Sequence, residues 1–182
     1  MKRRVLVRKY VRAYYASHRP EMTRARGKMQ QIWNRIGERY FRELERVFGP
    51  LSFYRPKHIQ AKLSIFRCGV VDGNLRAFQI WYGTVGEPSE VRRHVAHEIL
   101  HFYYYTYLKR RGYAKLSKDW DLAEIFNRII LNQPRLLRLT KKRDMGYSAH
   151  TRRVPKYREL WERSRGIEPY LQTLNRRAKG GE

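Results

Sequence analysis

The longest regular pattern of apolar residues begins at Met22 and continues in steps of three or four residues. Such spacing places the apolar side chains on one stripe of an amphipathic helix. The stripe comprises Met22, Ala25, Met29, Ile32, Ile36, Tyr40, Leu44 and Val47. Gly49 and Pro50 are typical of a helix end, so the pattern predicts one long helix between these limits.

A different pattern follows in residues 59–66, where apolar and polar residues alternate. Period-two alternation predicts a half-buried strand. Asp72-Gly73 favours a tight turn joining residues 68–71 to a strand over residues 74–82. The sequence thus predicts a small, mainly antiparallel sheet, in which Cys68 packs as a small hydrophobic residue.

Three further helices are predicted in the second half of the chain. The first begins at Pro88-Ser89-Glu90 and ends near residues 111–112. The second has Ser117 as its N-cap and ends before Pro134, and a third, basic helix covers residues 134–143. Together with the sheet, these helices predict an α+β fold.

Charge is distributed unevenly along the 182 residues. Lys and Arg number 41 against 16 Asp and Glu, which gives a formal charge of +25. The sequence suggests a basic N-terminal arm (residues 1–20), a central domain (21–145) and a basic C-terminal extension (146–182). Basic termini interleaved with Tyr and Trp predict nonspecific contact with DNA or RNA, although the same charge would also serve solubility.

The cysteine count and the hydropathy pattern exclude several classes of protein. With Cys68 as the single cysteine, the chain forms no intrachain disulfide and no cysteine-based zinc cage. The sequence contains no run of about 18 uncharged apolar residues, so we expect no membrane span. Its basic start lacks the apolar stretch of a signal peptide. We expect an intracellular, cytoplasmic protein.

His97-Glu98-Ile99-Leu100-His101 is an H-E-x-x-H motif within the first of these three helices. Four residues along a helix bring both histidines to one face, where their imidazoles can reach a single metal ion. Zinc is the ion such a pair usually binds, and it leaves a coordination position for water. Glu98 is then the expected general base.

A catalytic zinc needs a third protein ligand, and the sequence offers three. Glu124 is the best candidate because it lies on a predicted helix and is the only glutamate between Glu98 and Glu159. Asp121, one turn earlier on the same face, is the alternative, either as a ligand or as a residue that orients a histidine. His150 is a more distant choice, 49 residues beyond His101 (150 − 101).

HEILH followed by WDLAEIFNR resembles the gluzincin metallopeptidases, and the chain length resembles the small minigluzincins. The resemblance covers roughly residues 22–134 and implies a zincin-like fold in which Glu124 completes the site. Several related families place the ligand three residues before a small alanine on this helix. In this chain, the residue three before Ala123 is Trp120, which departs from that pattern. SprT-like proteases, which combine H-E-x-x-H with DNA binding, are a weaker resemblance because they use a third histidine.

The resemblance also implies a mode of substrate binding. The edge of residues 74–82 would pair with an extended polypeptide. Tyr147 and His150 are candidates for stabilising the oxyanion, and the alternative is that they are loop residues with no catalytic role. The predicted function is a zinc-dependent endopeptidase that hydrolyses peptide bonds with metal-activated water. The alternative is a nucleic-acid-binding protein on a zincin scaffold, with structural or no metal and no catalysis.

Overall fold

A computed structural model describes residues 2–50, 58–66 and 76–180 of the chain. These residues form a mixed, mostly helical fold with eight α-helices and two β-strands. In chain order they are α1 (Lys2–Ser17), α2 (Arg19–Asn34), α3 (Gly37–Phe48), β1 (Gln60–Ser64), β2 (Ala77–Trp81), α4 (Pro88–Arg110), α5 (Trp120–Leu131), α6 (Pro134–Thr140), α7 (Val154–Ser164) and α8 (Ile167–Gly180).

The two described strands are parallel. Their register runs from Gln60 opposite Ala77 to Ser64 opposite Trp81. The prediction of a mainly antiparallel sheet is therefore wrong for these strands, and a two-stranded parallel sheet does not support the zincin-like fold. Twelve residues separate the strands (77 − 64 − 1), long enough for the crossover that parallel pairing requires. The turn predicted at Asp72-Gly73 and the position of Cys68 lie outside the described residues.

The single long helix predicted from Met22 is instead two helices, α2 and α3, with a break at Arg35 and Ile36. The apolar stripe continues across the break, because Ile36, Tyr40 and other members are buried on both sides of it. Gly37 lies directly under the indole of Trp33, where a Cβ atom would come within 3.1 Å of Nε1. The glycine thus permits a close contact between α2 and α3.

Helix α4 lies at the centre of the molecule and contacts α2, α3, α5 and α6. The apolar face predicted opposite the histidines is confirmed as core, with Ala96, Ile99, Leu100, Tyr103 and Tyr107 all buried. Tyr40 of α3 donates a hydrogen bond of 2.6 Å to the carbonyl oxygen of Ala96. Packing and this bond together hold the middle of α4, where the H-E-x-x-H motif lies.

The N-cap of helix α5 lies two residues later than predicted. Asp119 caps it, since its carboxylate accepts a hydrogen bond of 2.9 Å from the amide of Leu122. Ser117 instead lies in a 3₁₀ turn and donates to the carbonyl oxygen of Ala114. Helix α6 is shorter than the predicted 134–143, because Lys141 adopts a left-handed conformation with φ of 58°.

Both ends of the chain contact the rest of the molecule. Helix α1 covers most of the predicted N-terminal arm, and the hydroxyl of its Tyr15 donates to the carbonyl oxygen of Leu63 in β1 at 2.7 Å. Within the predicted C-terminal extension, α7 contacts α5 and α8. Val154, Ile167, Tyr170 and Leu171 from these helices are buried in the core. Among the described helices, none is long and apolar enough to cross a membrane.

Candidate metal centre

Three side chains of α4 and α5 converge on one point. Nε2 of His101 lies 3.2 Å from Nε2 of His97 and 3.1 Å from Oε1 of Glu124. The other carboxylate oxygen, Oε2 of Glu124, lies 3.3 Å from Nε2 of His97. All three side chains are buried. Among the described residues they form a group whose ligand atoms lie within 4.8 Å of one another and could hold a metal ion.

This convergence follows from the helices that carry the residues. One turn of α4 separates the two histidines, which brings their rings to a centroid distance of 4.8 Å. Glu124 follows the capped first turn of α5, and one turn later Asn127 donates a hydrogen bond of 3.0 Å to the carbonyl oxygen of His97. That amide ties the two helices together beside the ligand group.

Sequence reasoning missed a fourth residue of the site, Asp144. Its Oδ2 accepts a hydrogen bond of 2.6 Å from Nδ1 of His97, and its side chain is fully buried. The amide of Gly146 donates to Oδ1 at 2.8 Å. Asp144 is the only acidic residue between Glu124 and Glu159, in an otherwise basic stretch. This isolation was the sequence feature that could have identified it as a site residue.

The main chain of Asp144 is fixed from α5. Asn132, the residue after α5, donates from Nδ2 to the carbonyl oxygen of Asp144 at 2.7 Å and accepts from its amide at 3.0 Å. Arg93 of α4 approaches Oδ1 at 3.9 Å. The carboxylate that holds His97 therefore has a defined position between the two helices.

The buried charges strongly shift the pKa values of the group. Burial alone would lower the pKa of His97, but the Asp144 carboxylate raises it to about 10. For Glu124, burial opposes ionisation, yet the hydrogen bond from His101 and the positive charge of His97 lower its pKa to about 2. Burial lowers the pKa of His101, and the positive charge of His97 beside it lowers this pKa further. The group thus holds one positive charge against two carboxylates, which leaves it suited to a cation.

The donor set fits a metal ion. Because Nδ1 of His97 donates to Asp144, a metal ion that displaces the proton on Nε2 would meet the lone pair of that nitrogen, which faces the other ligands. Oε2 of Glu124 is buried without a hydrogen-bond donor. Two imidazole nitrogens and a carboxylate in a tight buried group are the ligands of many catalytic zinc sites.

Glu98 lies next to His97 in the chain and is buried. Burial is the largest cause of its pKa shift and raises that pKa to about 7; the charge of Glu124 adds to the rise, while the positive charge of His97 opposes it. A carboxyl group with such a pKa can both accept and release a proton near neutral pH.

Asp121 and His150 contact each other and are not part of the ligand group. Oδ1 of Asp121 lies 3.1 Å from Nε2 of His150, while its Oδ2 accepts a hydrogen bond of 2.9 Å from Arg153. The ring of Trp120 lies 5.6 Å from that of His150 and 5.0 Å from that of Tyr147. The two predicted oxyanion stabilisers thus lie together, and Tyr147 is about half exposed.

Tyr105 lines the metal group. Its ring stacks against His101 at a centroid distance of 5.8 Å and remains partly exposed, whereas Tyr104 is fully buried and stacks on Phe126 in the core. The predicted substrate-binding edge, residues 74–82, contains β2, which is paired with β1 along one side.

Comparison with known proteins identifies no relative of this chain. No protein-family model matches the chain, and no curated protein and no solved structure is similar enough to count as a match. The function must therefore be argued from the residues of the site.

Proposed function

We propose that this chain is a zinc-dependent endopeptidase with a gluzincin-type ligand set of His97, His101 and Glu124. The observation that carries the proposal is the meeting of Nε2 from both histidines with the Glu124 carboxylate, 3.1 to 3.3 Å apart. The H-E-x-x-H sequence adds Glu98 beside the first histidine. The proposal rests on this group and not on the sheet.

A zinc ion bound there would supply Lewis-acid activation of a water molecule for attack on a peptide carbonyl. Asp144 keeps the proton of His97 on Nδ1, so that Nε2 remains available as a ligand atom. Asn127 holds the backbone of His97 from α5. These contacts orient the ligands before any metal arrives.

Glu98 serves as the general base. Its carboxylate accepts the proton of the attacking water and afterwards delivers it to the nitrogen of the departing amine, so the group ends the cycle as it began. The pKa of about 7 that burial gives it suits both transfers. Removing the carboxylate charge while preserving its shape should abolish catalysis and leave the metal ligands in place.

The substrate of this reaction is an extended polypeptide. In the proposal it lies along β2, and His150 and Tyr147 stabilise the oxyanion formed on its carbonyl. Asp121 orients the imidazole of His150 through the contact at 3.1 Å. Tyr147→Phe and His150→Gln should then lower kcat more than they change KM, since they act on the transition state.

The first test is hydrolysis of unfolded casein by the wild type and by Glu98→Gln, with zinc measured in each preparation. We expect the variant to retain about one zinc per chain and to lose at least a hundredfold in activity. Glu45→Gln, an exposed change on α3, is the matched control. Equal activity in Glu98→Gln and wild type excludes this mechanism, and inactivity of both with zinc bound favours a binding module with structural metal.

The second test concerns the third ligand. Glu124→Ala should weaken zinc binding by roughly a hundredfold or more, because it removes a ligand and leaves two imidazoles. Asp121→Ala, one turn earlier on the same helix, should leave zinc affinity within a few-fold of wild type, since its partners are His150 and Arg153. A larger loss in Asp121→Ala would reverse the assignment.

A further inference from the structure

A cleft of about 600 Å³ lies between α3 and α6, and basic side chains dominate its walls. None of its lining residues belongs to the group of His97, His101 and Glu124. Five arginines and one acidic residue provide its charged groups: Arg39, Arg42, Glu43, Arg46, Arg135 and Arg138. All five arginines are exposed, so the cleft presents a net positive charge to solvent.

The arginines line the cleft because of helix periodicity. Arg39, Arg42 and Arg46 follow one another in steps of three and four along α3, which places them on one face. Arg135 and Arg138 are three residues apart on α6 and face them across the cleft. The stripe is distinct from the buried face of α3, which carries Tyr40, Leu44 and Phe48.

The choice of arginine on both walls indicates the chemistry of the occupant. A guanidinium presents a planar fork of donors that matches an anionic oxygen pair, and it is the preferred side chain for phosphate recognition. Arg39 and Arg46 are seven residues apart, about 10 Å along the helix axis. Measured along the axis of a B-form duplex, where one strand carries a phosphate every 3.4 Å, that length spans about three base-pair steps.

We propose that the α3–α6 cleft binds the phosphate backbone of a nucleic acid, without reading its base sequence. The proposed nucleic-acid contact lies in a cleft within the fold, whereas composition alone predicted it at the termini. It is independent of the zinc proposal, because it uses none of the metal ligands.

A second cleft of about 350 Å³ adjoins the first and shares Glu43, Arg46 and Arg135 with it. Its wall includes Trp161, a partly buried indole of α7. Aromatic rings beside a basic track are the usual platforms for bases of single strands. This continuity favours a nucleic acid over an acidic polypeptide, which has no planar bases to stack.

The test compares two triple variants that each remove three positive charges. Arg42→Gln/Arg135→Gln/Arg138→Gln changes both walls of the cleft. It spares Arg39, which donates to the carbonyl oxygen of Arg35, and Arg46, which forms an ion pair with Glu43. Arg8→Gln/Lys9→Gln/Arg12→Gln changes exposed residues of α1. Binding of full-length protein to fluorescein-labelled single- and double-stranded DNA and RNA is measured by anisotropy across a salt series.

We expect the cleft variant to bind about tenfold more weakly at 0.1 M salt and to lose about 2 to 3 from the slope of log K against log salt, one contribution per lost phosphate contact. The α1 variant should change affinity by less than about threefold. Equal losses in the two variants would overturn the proposal in favour of diffuse charge, and so would unchanged binding in the cleft variant.

Two further measurements complete the test. Glu43→Gln removes the acid of the cleft and releases its ion-pair partner Arg46, so it should strengthen binding several-fold, a gain that misfolding does not produce. Polyglutamate is used as a competitor at equal total charge. If it displaces the labelled strand as well as unlabelled nucleic acid does, the cleft is a site for acidic polypeptides and the proposal is wrong.

Discussion

Asp144→Asn tests the structural role of the site residue that sequence reasoning missed. The change preserves size and removes the charge. Wild-type Asp144 uses Oδ2 to accept from His97 at 2.6 Å and Oδ1 to accept from the amide of Gly146 at 2.8 Å. An asparagine has one acceptor oxygen, so whichever partner keeps it, its NH₂ group must face the other donor. The variant thus loses one hydrogen bond and the charge that fixes the tautomer of His97.

The expected magnitude follows from these contacts. Loss of an outer residue that orients a metal-binding histidine typically costs ten- to a hundredfold in metal affinity, about 1.4 to 2.7 kcal/mol. We expect the upper half of this range, because the side chain of Asp144 is fully buried and solvent screens its charge little there. The assay is competition for zinc with a chromogenic chelator at pH 7.5, followed by casein hydrolysis at saturating zinc.

Asp121→Asn is the matched control for Asp144→Asn. It also converts an aspartate near the site to asparagine, but its contacts are to His150 and Arg153 rather than to a zinc ligand. Its zinc affinity should remain within about threefold of wild type. Equal zinc affinities for Asp144→Asn and Asp121→Asn would refute the positioning role of Asp144.

Two further predictions concern stability. Glu168 accepts hydrogen bonds of 2.6 Å from two tyrosine hydroxyls. Burial opposes its ionisation, but these bonds lower its pKa. The stabilisation they give is therefore present above the unfolded pKa of about 4.3 and is lost as the pH falls through the folded pKa. Glu168→Gln should therefore lower Tm at pH 7 by roughly 2–4 °C, about 1 kcal/mol after discounting for partial exposure, and the difference should vanish at low pH in thermal melts. Gly37→Ala should destabilise by about 1 kcal/mol through the contact with Trp33, whereas Gly27→Ala, with open space around it in α2, should stabilise by roughly 0.5–1 kcal/mol. Urea unfolding measures the free energy of unfolding of each variant. A change of the same sign in both glycine variants would contradict the packing argument.

The parts of the structure that sequence predicted depend on local periodicity. His97 and His101 were expected on one helix face because four residues make one turn, and helix α4 was expected from Pro88 to about residue 111. Glu124 was the strongest of three ligand candidates, and it is the one that the fold brings to the histidines. The placement of the histidines required only the spacing of residues within one helix, whereas Glu124 was chosen as the only glutamate between Glu98 and Glu159 and as a residue of the next predicted helix.

The parts that sequence did not predict depend on contacts between elements. Alternation identified β1 but carries no information on the direction of its partner, so the parallel pairing was missed. The apolar stripe runs through Ile36 without interruption, and the break before Gly37 becomes visible only with Trp33 packed upon it. Asp144 lies 47 residues from His97, in a loop whose position Asn132 fixes.

The double hydrogen bond between Asn132 and the main chain of Asp144 has a consequence for how the centre is assembled. Glu124 approaches the histidines directly from α5, and the carboxylate that supports His97 is fastened to the end of the same helix. A displacement of α5 would accordingly withdraw the Glu124 carboxylate and the Asp144 support of His97 in a single movement. Integrity of the whole centre is therefore set by how firmly one helix is seated against α4.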